Sequence, residues 1–144
     1  YIPWHLTTQE FFKSVYEHLD ENGVVVINVG RAPSDRRLIE GLVGTLHTLF
    51  PSIYVMDVPD TFNSIIYATA KTTDITNLYR NLLYLMTRKD IHPMLIEAIK
   101  RVIIYQQPLA KMNVVFTDDK APIELITNSL VLKYLFQGEM ELLQ

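Results

Sequence analysis

The sequence predicts an α/β domain followed by a helical tail, on three observations. Val24-Val25-Val26-Ile27-Asn28-Val29 is a short β-branched run between two turn signals, Asp20 to Gly23 before it and Gly30 to Asp35 after it. Such a run reads as a strand buried on both faces, as in a parallel sheet covered by helices on each side. Apolar residues recur at helical spacing before and after it. Two further β-rich stretches, 52–58 and 63–70, are joined by Pro59-Asp60-Thr61-Phe62. A loop so short makes them an antiparallel hairpin.

Taken in order, Tyr1 to His5 is irregular and aromatic, because Pro3 does not fit a helix interior. Thr7 or Thr8 supplies an N-cap for a first helix, whose stripe is Phe11, Phe12, Val15, Tyr16 and Leu19. That helix is expected to close at Asn22-Gly23, with Gly23 in the left-handed conformation. After the strand, Ser34 or Asp35 caps a second helix running to about Leu49, with Leu38, Ile39, Leu42, Val43, Leu46 and Leu49 buried; Pro51 stops it. In the first hairpin strand Ile53 and Val55 point inward. Beyond Thr72-Thr73-Asp74 the pattern turns helical, with Leu78, Leu82, Leu85 and Met86 on one helix. Leu95, Ile99, Val102 and Ile103 mark another that begins near Pro93. A short apolar piece, Val114-Val115-Phe116, precedes a last helix bearing Leu125, Ile126, Leu130, Leu132 and Leu135.

Composition narrows the chemistry. At 144 residues the chain can bury a real core, and 49% hydrophobic with 20% charged residues is ordinary for a globular protein. The net charge is −3 and Lys and Arg are scattered, which gives no electrostatic case for nucleic acid. The absence of cysteine excludes thiol catalysis, disulfides and zinc ribbons within the chain, and the four histidines lack metal-ligand spacing. Apolar runs fall short of the ~20 residues of a membrane-spanning helix. The chain opens on Tyr1 without a signal peptide and is expected to be a fragment. Gly41-Leu42-Val43-Gly44 lies inside a helical pattern and follows no strand, so it is not a phosphate loop.

Two places concentrate polar groups. In the first, Trp4 and His5 can stack on or hydrogen-bond a ligand if the loop before the helix lies at a strand's carboxyl end; alternatively Pro3 and Trp4 pack under the helix. In the second, Asp118-Asp119 can bind a cation, an amine or a metal; alternatively they complement the positive end of the helix entered at Pro122. Asp57 and Asp60 flank the hairpin turn and are expected to be solvated. His47 and His92 lack partners and read as structural or exposed. Asn28 and Gly30, at the end of the buried strand, are either ligand-facing or turn-forming.

His5-Leu6-Thr7-Thr8-Gln9-Glu10-Phe11-Phe12, followed by Leu19-Asp20-Glu21-Asn22-Gly23-Val24, resembles the spermidine and spermine synthase family. In that family a helix with a Leu-x-Thr-x-Glu-Phe-aromatic signature leads into Gly-Val and a strand. The likeness continues through Asn28-Val29, Leu46 to Pro51 and Asn63 to Ala70. Ile2 to Thr8 and Thr117-Asp118-Asp119-Lys120-Ala121-Pro122-Ile123-Glu124 look like the bacterial spermidine synthase-like proteins, some of which are fused to membrane-transporter-like segments.

The resemblance implies the carboxyl-terminal half of a Rossmann-like sheet of the class I methyltransferase type, closed by an antiparallel hairpin, over residues 1–73, with a helical extension over 74–144. It implies a parent that transfers an aminopropyl group from decarboxylated S-adenosylmethionine to a small-molecule amine, in polyamine biosynthesis. Pro3, Trp4, His5 and Leu6 would border the nucleotide, and Asp118 and Asp119 would receive the amine. The family's glycine-rich loop, ribose-binding acid and catalytic Asp precede the stretch matching Tyr1, so this chain alone is expected to bind no nucleotide and to be catalytically silent. Its partners would be the missing amino-terminal half of its own domain and a second copy, in the cytoplasm. One departure stands out. The family's Tyr-Pro-x-Gly hairpin turn, whose Tyr helps hold the amine, is replaced by Val58-Pro59-Asp60-Thr61-Phe62-Asn63. The rival readings are an S-adenosylmethionine-dependent methyltransferase on the same fold and a non-catalytic binding or assembly module.

Overall fold

The structure, a computed structural model, describes residues 3–32, 34–109 and 113–141; the expectations at Tyr1, Ile2 and Pro33 fall outside them. A 3-10 turn, Trp4–Leu6, follows Pro3 where irregular chain was expected. Then come α1 (Gln9–Glu17), β1 (Val24–Gly30), α2 (Arg37–His47), β2 (Ser52–Asp57) and β3 (Asn63–Thr69). The second half holds α3 (Ile75–Met86), α4 (Pro93–Ile104), a two-residue β4 (Gln106–Gln107) and α5 (Ile123–Glu141). The chain is mixed α/β, with the sheet ordered β1-β3-β2-β4.

Local chemistry sets these boundaries. Thr8 Oγ1 accepts the Phe11 N–H at 3.3 Å and opens α1. Asp35 Oδ1 accepts the Arg37 N–H at 3.2 Å at the head of α2. Asp74 and His92 cap α3 and α4 by accepting from Thr76 and Met94, so His92 has a structural partner that its spacing did not disclose. Gly23 differs from expectation. No described glycine has a positive φ, and α1 ends earlier, at Glu17. What requires glycine there is a close approach: an added Cβ would lie 2.9 Å from the Asp20 carbonyl oxygen.

The hairpin β2–β3 is antiparallel, with Tyr54 opposite Tyr67 and Val55 opposite Ile66. β1 is also antiparallel to β3, so β1 and β2 run parallel to each other with β3 inserted between them. Helix α2 is the crossover that joins them. Val25, Ile27 and Val29 of β1 face one core with Phe12 of α1, Leu42 and Leu46 of α2, and Val55, Ile66 and Ala68 of the hairpin. Phe116, Ile123, Ile126 and Leu130 complete that core from the far end of the chain. On the last helix the burial differs from the expected stripe: Ile123, Ile126 and Leu130 are buried, whereas Leu125, Leu132 and Leu135 are exposed. The inward face is the one that meets α2.

The expectation that β1 is buried on both faces is not met. Val24 and Val26 remain 49% and 58% exposed, because α1 and α2 share one face and the opposite face near β1 is uncovered. β1 is also an edge. The Gly23 carbonyl accepts from Ala70 N–H, and Arg31 N–H donates to the Phe62 carbonyl. By the alternation of an antiparallel ladder, the main-chain groups of Val24, Val26, Asn28 and Gly30 therefore point away from β3, toward the open side.

Candidate functional site

Phe116 brings the tail of the chain to the amino-terminal helices. Its ring is fully buried against Gly41, where an added Cβ would sit 1.9 Å from Cζ. Its N–H donates to Thr45 Oγ1 at 2.8 Å and its carbonyl accepts the Gln9 N–H at 2.8 Å. Thr45 in turn donates to the Gly41 carbonyl at 2.7 Å. This anchor is the physical content of the short apolar piece Val114-Val115-Phe116.

Immediately after it, Thr117 and Lys120 exchange main-chain hydrogen bonds of 3.2 and 2.9 Å. The turn they close carries Asp118 and Asp119 at its tip. Glu10 of α1 accepts the Asp118 N–H at 3.1 Å, which ties the turn to the head of α1. Both aspartates are exposed, and α5 begins further on, at Ile123.

Trp4, Asp118, Asp119, Pro122, Glu124 and Leu125 line one shallow cleft of about 440 Å³, with Ala121. Two of the sequence-selected stretches are thus neighbours in space. Within the first, Trp4 alone reaches the cleft. Pro3, His5 and Leu6 are not among its walls. His5 packs edge-on to Trp4 with ring centroids 5.7 Å apart, and Leu6 is part of the 3-10 turn that Thr7 closes by donating to the Trp4 carbonyl. Trp4 is 39% exposed, so the ring is neither fully packed under α1 nor free of it. The cleft offers a flat aromatic surface beside carboxylates. That combination suits a cation with an alkyl stem, by charge and by cation–π attraction.

No strand end contributes to this cleft, and Asn28 and Gly30 do not reach it. The carboxyl ends of β1 and β2 instead hold an ion cluster. Asp57, expected to be solvated, is largely buried. Arg36 donates to both of its oxygens at 2.9 and 3.1 Å, Ser64 donates at 2.6 Å, and Arg31 Nε lies 3.4 Å away. Burial alone would raise the Asp57 pKa, but the Arg36 and Ser64 bonds outweigh it and the net shift is downward. The sequence signal was the Arg31/Arg36 pair facing Asp57 across one crossover, legible only once the register was known. A second cluster joins α2 to α5. Asp35, with a side chain 3% exposed, receives Arg37 at 2.7 Å and Lys133 at 2.6 Å, and Arg37 also donates to Ser129. These are structural braces in which two cations flank one carboxylate, and Arg31 Nε is buried without a hydrogen-bond partner beside Asp57.

Among the described residues no group of three or more His, Asp and Glu is placed to hold a metal ion, and no helix is long and apolar enough to cross a membrane. No protein-family profile matches the chain, and no solved structure matches it. Among curated proteins the chain is similar to a probable polyamine aminopropyl transferase of Bifidobacterium longum (strain NCC 2705), 27% identical over 139 residues. That similarity covers 87% of this chain and 31% of the relative, so the chain spans about a third of its relative's length. It supports a spermidine synthase-like relationship.

Proposed function

We propose that this chain is the carboxyl-terminal part of the nucleotide domain of an aminopropyltransferase, and that its cleft receives the cationic amine. The observation that carries the reading is the meeting of Trp4 with Asp118 and Asp119 in one concavity, residues selected separately and distant in sequence. The described residues do not fit the nucleotide equally well. Trp4 offers one stacking face, but this chain has no glycine-rich loop to cradle a phosphate or ribose. The role left to the chain is therefore to attract the amine and orient it.

The topology supports the Rossmann-like part of the reading. α1 and α2 lie on the same face, and β1–α2–β2 moves away from the open edge of β1. Parallel crossovers are right-handed in nearly every case. A strand feeding α1 on that face would therefore lie on the other side of β1, against its unpaired main-chain groups. A seven-stranded sheet closed by an antiparallel hairpin ends in such a unit.

Trp4 is the one tryptophan of the chain, which makes its fluorescence a site-specific reporter. Putrescine and spermidine are expected to change Trp4 emission saturably, with methylamine far weaker. Because both carboxylates are exposed, D118N/D119N should leave the fold intact and weaken the diamine by about ten-fold, two exposed ion pairs' worth. Unchanged affinity in that double variant would overturn the amine site.

Surface area bears on partners. The chain exposes 9509 Å², against roughly 7,600 Å² for a compact monomer of its 16.7 kDa mass. With β1 open at its edge, the isolated chain is expected to self-associate. Sedimentation should show a concentration-dependent species that Val26→Lys suppresses, and a strict monomer at high concentration would count against it.

A further inference from the structure

The opposite side of the sheet holds a second cavity, separate from the acidic cleft. Tyr54, Met56 and Tyr67 form its floor, Ile75 and Leu78 of α3 and Val102 of α4 its roof, and its volume is about 440 Å³. That is within the ~300–1,000 Å³ of small-molecule sites. The walls are overwhelmingly apolar. One carboxylate, Asp74, stands at the rim, and it is engaged in capping α3 through the Thr76 N–H at 2.8 Å.

The carboxamides of Asn77, Asn81 and Gln106 also line it, and of its two phenols one is poorly used. The Tyr54 hydroxyl is satisfied by Thr73 Oγ1 at 2.9 Å. The Tyr67 hydroxyl donates to the Met56 sulfur at 3.5 Å, and a thioether is a weak acceptor. Burial pushes the Tyr67 phenol pKa upward, so at neutral pH it keeps its proton and remains a donor. The roof is lightly held, since neither α3 nor α4 contributes a fully buried residue among those described.

We propose that this cavity is a binding site for an uncharged, mainly apolar small molecule bearing one hydrogen-bond acceptor, which takes the Tyr67 O–H from Met56. An anionic ligand would find no cationic side chain on the walls, and a hydrocarbon would leave the phenol on its thioether.

Benzophenone and diphenylmethane, matched in shape and differing in the carbonyl, test this on the full chain by protein-observed NMR. Both are expected to bind at one site with shifts on α3 and at Tyr67, benzophenone more tightly. Tyr67→Phe should weaken benzophenone about five-fold, one neutral hydrogen bond's worth, and leave diphenylmethane unchanged. Leu78→Trp, which fills the space, should abolish both, and Val102→Phe serves if that variant does not fold. D118N/D119N should alter neither probe. Equal loss of both probes in Tyr67→Phe, or binding that survives a folded filling variant, would overturn the proposal. So would shifts spread over the exposed apolar surface instead of the cavity.

Discussion

Phe116→Ala is expected to cost about 3–5 kcal/mol of stability, the range for emptying a buried aromatic site. The ring is completely buried and fills the space left by a residue without a side chain, Gly41. Removing it opens a void between α1, α2 and the start of α5, while the main-chain bonds to Thr45 and Gln9 hold the segment in place and hinder collapse. The reciprocal change, Gly41→Ala, is expected to destabilise by about 1–3 kcal/mol through overpacking, since the new methyl would occupy the position of the ring edge. Urea unfolding followed by circular dichroism measures both. A loss below about 1 kcal/mol for Phe116→Ala would mean that the tail is not anchored as described.

Asp35→Asn carries the second large effect, and it depends on pH. Arg37 beside Asp35 holds its carboxyl far below the usual carboxylate range; burial opposes this, and Lys133 adds to the lowering. A depressed carboxylate stabilises the fold fully above its unfolded pKa, about 3.9, and the stabilisation fades as pH falls toward the folded value. Breaking a buried pair typically costs roughly 3–5 kcal/mol. Here Arg37 and Lys133 are about half exposed, so about 2 kcal/mol at pH 7 is the expected loss after solvent screening. The gap between the parent chain and Asp35→Asn should narrow as the pH is lowered from 5 to 3. Asp57, also depressed, acts in the same direction. A gap of equal size at pH 7 and pH 3 would refute the ion-pair account.

Local patterns in the sequence were enough for the helices and the hairpin, because periodicity, caps and turn residues act over a few positions. Thr8, Asp74 and Pro93 mark helix starts, and Leu38 to Leu46 mark a buried face, without reference to the rest of the chain. What escaped depends on neighbours distant in sequence. The valines of β1 read as doubly buried, yet burial is decided by which faces other elements cover. Leu125, Leu132 and Leu135 have the same hydrophobicity as Leu130, and only the docking of α5 on α2 separates them. β4, two residues long, has no pattern to read. At the cleft, Trp4 and Asp118-Asp119 were legible as chemical groups; their proximity was not, because it is created by Phe116 and by Glu10 reaching the Asp118 amide. Asp57 was misjudged for a related reason: its arginines come from the far end of a crossover.

The way the core is closed has a consequence for cooperativity. Residues from Phe12 to Ala68 and from Phe116 to Leu130 share one interior, whereas α3 and α4, which lie between these stretches in sequence, contribute no fully buried residue among those described. The helical pair is thus an excursion from a body that is clasped behind it at Thr45 and Gly41. Such a segment can open and reclose at a free energy well below that of global unfolding, as a separate foldon. The acidic turn lies on the clasped side of that divide. Its anchors on α1 and α2 involve neither α3 nor α4, so opening of the roof over the apolar cavity is expected to leave the turn in place.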